Sequence, residues 1–201
     1  MTKKSLAVFT SITMLVAAIG MNACSAANAS SGKASTGKAS AETIARGQYL
    51  VTVGGCNDCH TPLKMGPKGP EPDMSRMLSG HPEQFVISAP ATLTSPEWMM
   101  ASAPTNTAHS GPWGVSFTAN LTPDQNTGLG IWTEEMFMKA LRTGRHMGAS
   151  REILPPMPWF NYGKMTDDDL KAVYAYLRSI PPVHNRVPDP LPPAGMPATT
   201  H

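Results

Sequence analysis

Aromatic residues supply only 6% of this 201-residue sequence and charged residues 15%, while proline and glycine number 20 and 17. A chain so short of large rings and so rich in helix breakers leaves much of its length in loops. Its modest apolar content would gain from an internal apolar cofactor supplying core surface. Cysteine is scarcer still, at three. Cys24 is the only one outside the pair Cys56 and Cys59, so a structural zinc site has no second ligand pair. No βαβ pattern surrounds the pair, which argues against a thioredoxin-type redox site. No internal repeat is present. Excess charge of either sign is also missing, with 16 Lys and Arg against 14 Asp and Glu. Four of the lysines (Lys3, Lys4, Lys33 and Lys38) precede the first acidic residue, so the remainder carries a net charge of about −2. That excludes a nucleic-acid binder and gives no case for a broadly basic docking face.

The first forty residues read as export machinery. Lys3 and Lys4 precede an apolar run from Leu6 to about Met21, the n-region and h-region of a secretory signal. Thr10, Ser11 and Thr13 dilute the run, which is short for a spanning helix of ~20 apolar residues, although an uncleaved anchor is the competing reading. Met21-Asn22-Ala23-Cys24 resembles the bacterial lipobox. Residues 1–23 are therefore expected to be a signal peptide, and Cys24 the lipidated first residue of the mature chain. This also accounts for the odd cysteine. The alternative is ordinary cleavage after Ala27-Asn28-Ala29. Residues 24–40 are small, polar and aperiodic, and are expected to act as a flexible tether. The expected location is the periplasm, held to a membrane through Cys24.

What the chain does contain is one Cys56-Asn57-Asp58-Cys59-His60. A C-x-x-C-H run is a site for covalent haem. The two thiols add across the two vinyl groups of the porphyrin, and the spacing brings both sulfurs to one edge of the ring. His60 follows at once and is placed to bind iron. Cysteines joined to haem need no disulfide partner, so their presence in an exported domain is consistent. One motif implies one haem.

The secondary-structure signals are unevenly spread. Ile44, Tyr49, Leu50 and Val53 lie in a helical stretch starting near Ala41, which Gly54-Gly55 ends. Gly47 sits within it and costs ~1 kcal/mol relative to alanine unless another helix crosses closely there. Nine prolines punctuate residues 61–118, so that segment is expected to be a wrapped loop with short strands or turns, Phe85-Val86-Ile87 being one candidate strand. His81 and His109 fall within it and are expected at the surface or beside the iron ligands rather than among them. Asn120-Leu121-Thr122-Pro123 starts a run of turns. A helix then opens at Thr133, shows an apolar face of Met136, Phe137, Ala140 and Leu141, and closes at Gly144. The last helix is capped by Thr166, with Asp169 in the place of a capping-box acid. It carries Leu170, Val173, Tyr174 and Leu177 at helical spacing, and Pro181-Pro182 stops it. From about residue 184 the proline-rich tail is expected to be extended or disordered.

Iron needs a second axial ligand for an electron-transfer role, and Met147, Met157 and Met165 are the candidates. Met157 lies in Pro155-Pro156-Met157-Pro158, where the prolines forbid regular helix and stiffen the loop. A stiff loop loses little entropy in presenting one thioether, and a neutral, soft sulfur favours Fe(II). These features together resemble the class I cytochrome c family across roughly 41–182. Asn120-Leu121-Thr122-Pro123-Asp124, Gly128 to Thr133 and Met157-Pro158-Trp159 are similar to the haem domains of cytochrome subunits from bacterial membrane-bound alcohol and sugar dehydrogenases. The resemblance implies an all-α cytochrome c fold over 41–183, with a long irregular insertion between the haem motif and the third helix. It implies Met157 as the distal ligand, and the first and last helices crossing beside the haem. It also implies a proline carbonyl after the motif, Pro67 or Pro70, as acceptor for the His60 Nδ1–H. Trp113, Trp132, Trp159 and Tyr162 border the haem or pack the core. The implied role is electron transfer with a dehydrogenase, an oxidase or another cytochrome as partner, as a free carrier or as a fixed subunit. A haem enzyme or gas sensor with an open distal site is the alternative from another class.

Overall fold

The computed structural model describes residues 39–93 and 95–195. The expected signal peptide, Cys24 and most of the tether lie outside the described residues. Helix α1 spans Ala41–Val53, and the Ser40 hydroxyl at its N-cap accepts from the Thr43 N–H. Gly54 closes α1, and Gly55 in the left-handed region (φ 67°) turns the chain straight into α2, Cys56–His60. A side chain there would be strained, so the two glycines that stop the first helix also aim the second.

Helix α3, Glu134–Thr143, is capped as expected. The Thr133 hydroxyl accepts from Met136 N–H, and Gly144 ends the helix at φ 67°. A short helix α4 covers Trp159–Tyr162, and α5 covers Asp167–Ser179. Thr166 caps α5 by accepting from Asp169 N–H, but the Asp169 carboxylate does not complete the box. It pairs instead with the Arg46 guanidinium of α1 at 3.0 Å. Helices α1 and α5 cross so closely that a Cβ on Gly47 would lie 1.9 Å from the Ala172 carbonyl oxygen. The close crossing explains a glycine in mid-helix, since its propensity cost is offset by packing two backbones together.

The core lies between these helices. Leu50 and Val51 of α1, Phe137 of α3, and Ala172, Val173 and Leu177 of α5 are buried with Leu78, Leu129 and Ile180. Arg178 reaches back from α5 to the carbonyls of Leu129 and Gly130, and Tyr174 donates to the Trp132 carbonyl. The turns after Asn120 are thereby held against the helical bundle.

The segment 61–118 has the short strands and turns expected of it, but they pair into sheets rather than leaving an irregular loop. It forms a hairpin, β1 (Leu63–Gly66) with β2 (Gly69–Pro72), and an antiparallel sheet of β3 (Ala101–Ser102), β4 (Ala108–Gly111) and β5 (Gly114–Phe117). The fold is therefore helical with added sheet rather than all-α. The Phe85-Val86-Ile87 stretch is not a strand. Strand pairing here is long-range, and the prolines and glycines that break helical periodicity do not bar short edge strands and tight turns.

The proline-rich tail is extended, as expected, but it is docked over the residues described to Gly195. Leu191 exchanges both backbone hydrogen bonds with Val115 of β5. Asn185 is fully buried. Its oxygen accepts from Arg76 and from Glu83 N–H, and its amide nitrogen donates to the carbonyls of Ser79 and His81. A single amide that satisfies both its faces pins the tail to the 76–83 segment.

Candidate haem-attachment site

Helix α2 places Cys56, Cys59 and His60 on little more than one turn. Both cysteines are half-buried and not bonded to each other. Burial pushes the Cys56 thiol up to about 11, and it raises Cys59 too, with the Asp58 charge adding in each case. Before attachment both thiols therefore rest protonated. Among the described residues no three His, Cys, Asp or Glu side chains converge as a metal cluster.

His60 is buried, and its Nδ1 lies 2.8 Å from the Ala119 carbonyl oxygen. A carbonyl only accepts, so Nδ1 carries the proton and Nε2 carries the lone pair. Burial holds this ring below the ordinary histidine range, against the Ala119 bond, and a charge on His109 would lower it further. A neutral imidazole with a free Nε2 is the form that binds iron. The partner differs from the expected Pro67 or Pro70. Pro67 sits in the β1–β2 turn and Pro70 within β2, both exposed. The chain instead leaves β5 and passes His60 at Ala119. Gly80 permits this approach, because a Cβ there would lie 2.3 Å from the Thr118 carbonyl oxygen.

Met157 is half-buried, and its loop is tied on both sides. Two residues before it, the Pro155 carbonyl accepts from Ser116 Oγ of β5, the strand that leads to Ala119. Five residues after it, the Tyr162 hydroxyl donates to the Gly54 carbonyl, two residues before Cys56. Burial raises the Tyr162 phenol above its ordinary value, and charge on Cys56 or Cys59 would raise it further, which places Tyr162 beside the thiols. Met147 lies in a short turn with a left-handed backbone (φ 52°), and Met165 directly precedes the cap of α5. The Tyr162 tie lies as near to Met165, whose N–H donates to the Tyr162 carbonyl, whereas the Ser116 tie falls in the Met157 loop.

The two extra histidines are buried rather than at the surface. His81 uses both nitrogens, Nδ1 with Thr107 Oγ1 at 2.9 Å and Nε2 with the Phe85 carbonyl at 2.8 Å, so it has none left for iron. His109 is 2% exposed, with Nδ1 at 2.9 Å from Ser102 Oγ. Among the aromatics, Trp113 donates to the His109 carbonyl, Trp132 meets the His146 ring edge-on, and Trp159 covers Gly144. The residues present fit a covalently held haem. The two thiols share one helical turn, the histidine has its lone pair free, and the methionine loop is tied to β5 on one side and to Gly54, just before the motif, on the other. Ala119 and Ser116 had no sequence signal, because any residue supplies a backbone carbonyl and a lone serine has many uses.

Burial also sets an expected pH response. His81, His109 and His146 all titrate below the ordinary histidine range, chiefly because burial disfavours the charged ring. Below pH ~6.5 the unfolded chain binds these protons and the folded one resists them. Stability is therefore full above that pH and declines as pH falls through it toward the folded values. Urea midpoints should be level from pH 7 to 8 and drop between pH 6.5 and 5, with a shallower drop in His81→Gln. A midpoint that does not change across this range would contradict the assignment.

Residues 44–181 match the family model described as cytochrome c. The chain is 32% identical over 136 residues to the fructose dehydrogenase cytochrome subunit of Gluconobacter japonicus, covering 67% of this chain and 21% of that protein. It is 30% identical over 179 residues to the cytochrome c subunit of the quinone alcohol dehydrogenase of Gluconobacter oxydans, covering 87% and 29%. It is 30% identical over 141 residues to the gluconate 2-dehydrogenase cytochrome c subunit of Pantoea cypripedii, covering 70% and 24%. The chain thus spans less than a third of the length of each of these relatives.

Proposed function

This chain belongs to the cytochrome c family, and from that premise we propose that it transfers electrons through one covalent haem c ligated by His60 and Met157. Family membership and the dehydrogenase cytochrome subunits among its relatives imply haem-based electron transfer, and in this reading the chain carries electrons and leaves catalysis to a partner. Haem iron supplies a one-electron couple when bound. The chain does the rest. Cys56 and Cys59 would hold the porphyrin edge, and the Ala119 carbonyl fixes the His60 tautomer so that Nε2 would be free to bind iron. The prolines around Met157 present one thioether with little freedom to lose. The bracing of that loop, by Ser116 on one side and Tyr162 on the other, is the observation that carries the ligand assignment.

The working partner in this reading is a bacterial dehydrogenase or another component of a periplasmic respiratory chain. The cytochrome subunits above support it, although this chain corresponds to only part of each. Export by the 1–23 signal and membrane tethering through a lipidated Cys24 complete the proposal. No helix among the described residues is long and apolar enough to cross a membrane.

The test is the holoprotein made in a host that attaches haem. Haem should stay on the chain in a denaturing gel, one per chain by pyridine haemochrome. The ferric spectrum should be low-spin. A high-spin ferric spectrum would favour an open distal site and sink the His60/Met157 pair. In the same host, Cys24→Ala should release the protein from the membrane fraction, and unchanged fractionation would end the lipid-anchor reading.

A further inference from the structure

His60 and the carbonyl that accepts from its ring are both tied to one strip of chain, residues 78–81. The Gly80 N–H donates to the His60 carbonyl at 2.8 Å, and the His81 N–H donates to the Thr118 carbonyl at 3.0 Å. The Leu121 N–H donates back to the Leu78 carbonyl at 2.8 Å. The His60 backbone and the 118–121 segment, which carries the Ala119 carbonyl, therefore take their spacing from the same strip. The crossing has no slack, since a Cβ on Gly80 would lie 2.6 Å from the Ala119 carbonyl carbon.

The strip is in turn held by the C-terminal tail. Asn185 is fully buried, and its amide nitrogen donates at 2.7 and 2.8 Å to the carbonyls of Ser79 and His81, on either side of Gly80. Its oxygen accepts from Arg76 at 2.7 Å and from the Glu83 N–H at 3.1 Å, beyond the two ends of the strip. The tail also grips the residues that follow Ala119. Asn120 donates to the Val183 carbonyl at 2.8 Å, and the Val183 N–H donates to Thr122 Oγ1 at 3.0 Å. A buried amide adds little apolar burial, and it costs free energy unless its bonds are made. What a fully satisfied buried network supplies is one fixed geometry. Here that geometry is the approach of the Ala119 carbonyl to His60.

We propose that Asn185 is a positioning residue for His60: it clamps the 79–81 carbonyls, and with Val183 it fixes the spacing that sets the strength of the His60 Nδ1–H bond to Ala119. This rests on the haem reading above, in which His60 binds iron through Nε2. A strong Nδ1–H bond makes the imidazole a more basic ligand, which favours Fe(III) and lowers the reduction potential. Loosening the clamp weakens that bond and raises the potential. The tail is then a working part of the site, acting from the far end of the chain.

The experiment compares full-length holoprotein of the wild type, Asn185→Ala and Gly80→Ala, the last of which disturbs the same strip from its other side. The midpoint potential should rise in both variants, with the sulfur–iron charge-transfer band intact. In the ferrous, diamagnetic state the His60 Nδ1–H proton should exchange slowly in the wild type and roughly tenfold faster in Asn185→Ala. A lower melting temperature with a wild-type potential would mean a merely structural role and overturns the proposal. Should neither variant fold, the wild type alone decides. The Asn185 side-chain amide protons and the His60 Nδ1–H should then both be protected from exchange. A freely exchanging Asn185 amide beside a protected His60 proton overturns the clamp. Absence of covalent haem or of a low-spin spectrum in the wild type overturns the function above together with this inference. A normal wild-type spectrum with equal potentials in all three proteins overturns this inference alone.

Discussion

Met157→Ala will abolish the near-red sulfur–iron charge-transfer band of the oxidised protein and lower its reduction potential. Thioether sulfur is neutral and soft, and it stabilises Fe(II) over Fe(III). Without it, water or an exogenous ligand enters, and the potential shifts by a sizeable part of the roughly 0.8 V range that axial ligands span. The fold should survive, because Met157 is half-buried in a loop braced by neighbours other than itself. Far-ultraviolet circular dichroism should therefore be unchanged while the visible spectrum becomes partly high-spin. Met147→Ala and Met165→Ala should leave band and potential in place. If the band persists in Met157→Ala and vanishes in either of the others, the distal ligand has been misassigned.

The double substitution Cys56→Ala/Cys59→Ala should have the largest effect on stability. The protein core is a small cluster shared by α1, α3 and α5. A porphyrin burying roughly 400 Å² of apolar area adds on the order of 10 kcal/mol at about 25 cal/mol per Å². That is comparable to the whole stability of a typical domain, about 5–15 kcal/mol. The thioether bonds make this contribution independent of haem concentration. With them removed, acidified organic solvent should extract all haem, and the extracted protein should lose most of its cooperative thermal transition. A haem-free double variant that melts as sharply and as high as the wild type would refute a structural role for the cofactor.

The site and the fold were legible to different degrees. Cys56, Cys59 and His60 are contiguous, so their relation needs no folding to be read. Helix ends at Thr133, Gly144 and Thr166 were also readable, because capping is decided by residues three or four apart. The Asp169 carboxylate was misread for the converse reason. A local partner and a distant one compete for it, and Arg46 of another helix wins. The β3–β5 sheet was concealed by its own prolines and glycines, which mark turns without revealing which strands they join. His81 and His109 looked like loop histidines because burial of a short strand depends on what folds over it.

Taken by itself, the sequence determined the chemistry that can be attached here, since a C-x-x-C-H run carries its covalent geometry within five residues. It also determined the helices that frame the site, through local caps and periodicity. Only the tertiary structure decided how that chemistry is oriented. The Ala119 carbonyl and the Ser116 and Tyr162 braces come from chain segments 39 to 108 residues away from the groups they serve. Contacts at such separations are selected by packing and by the need to satisfy buried polar groups, and neither is written in any local stretch of sequence.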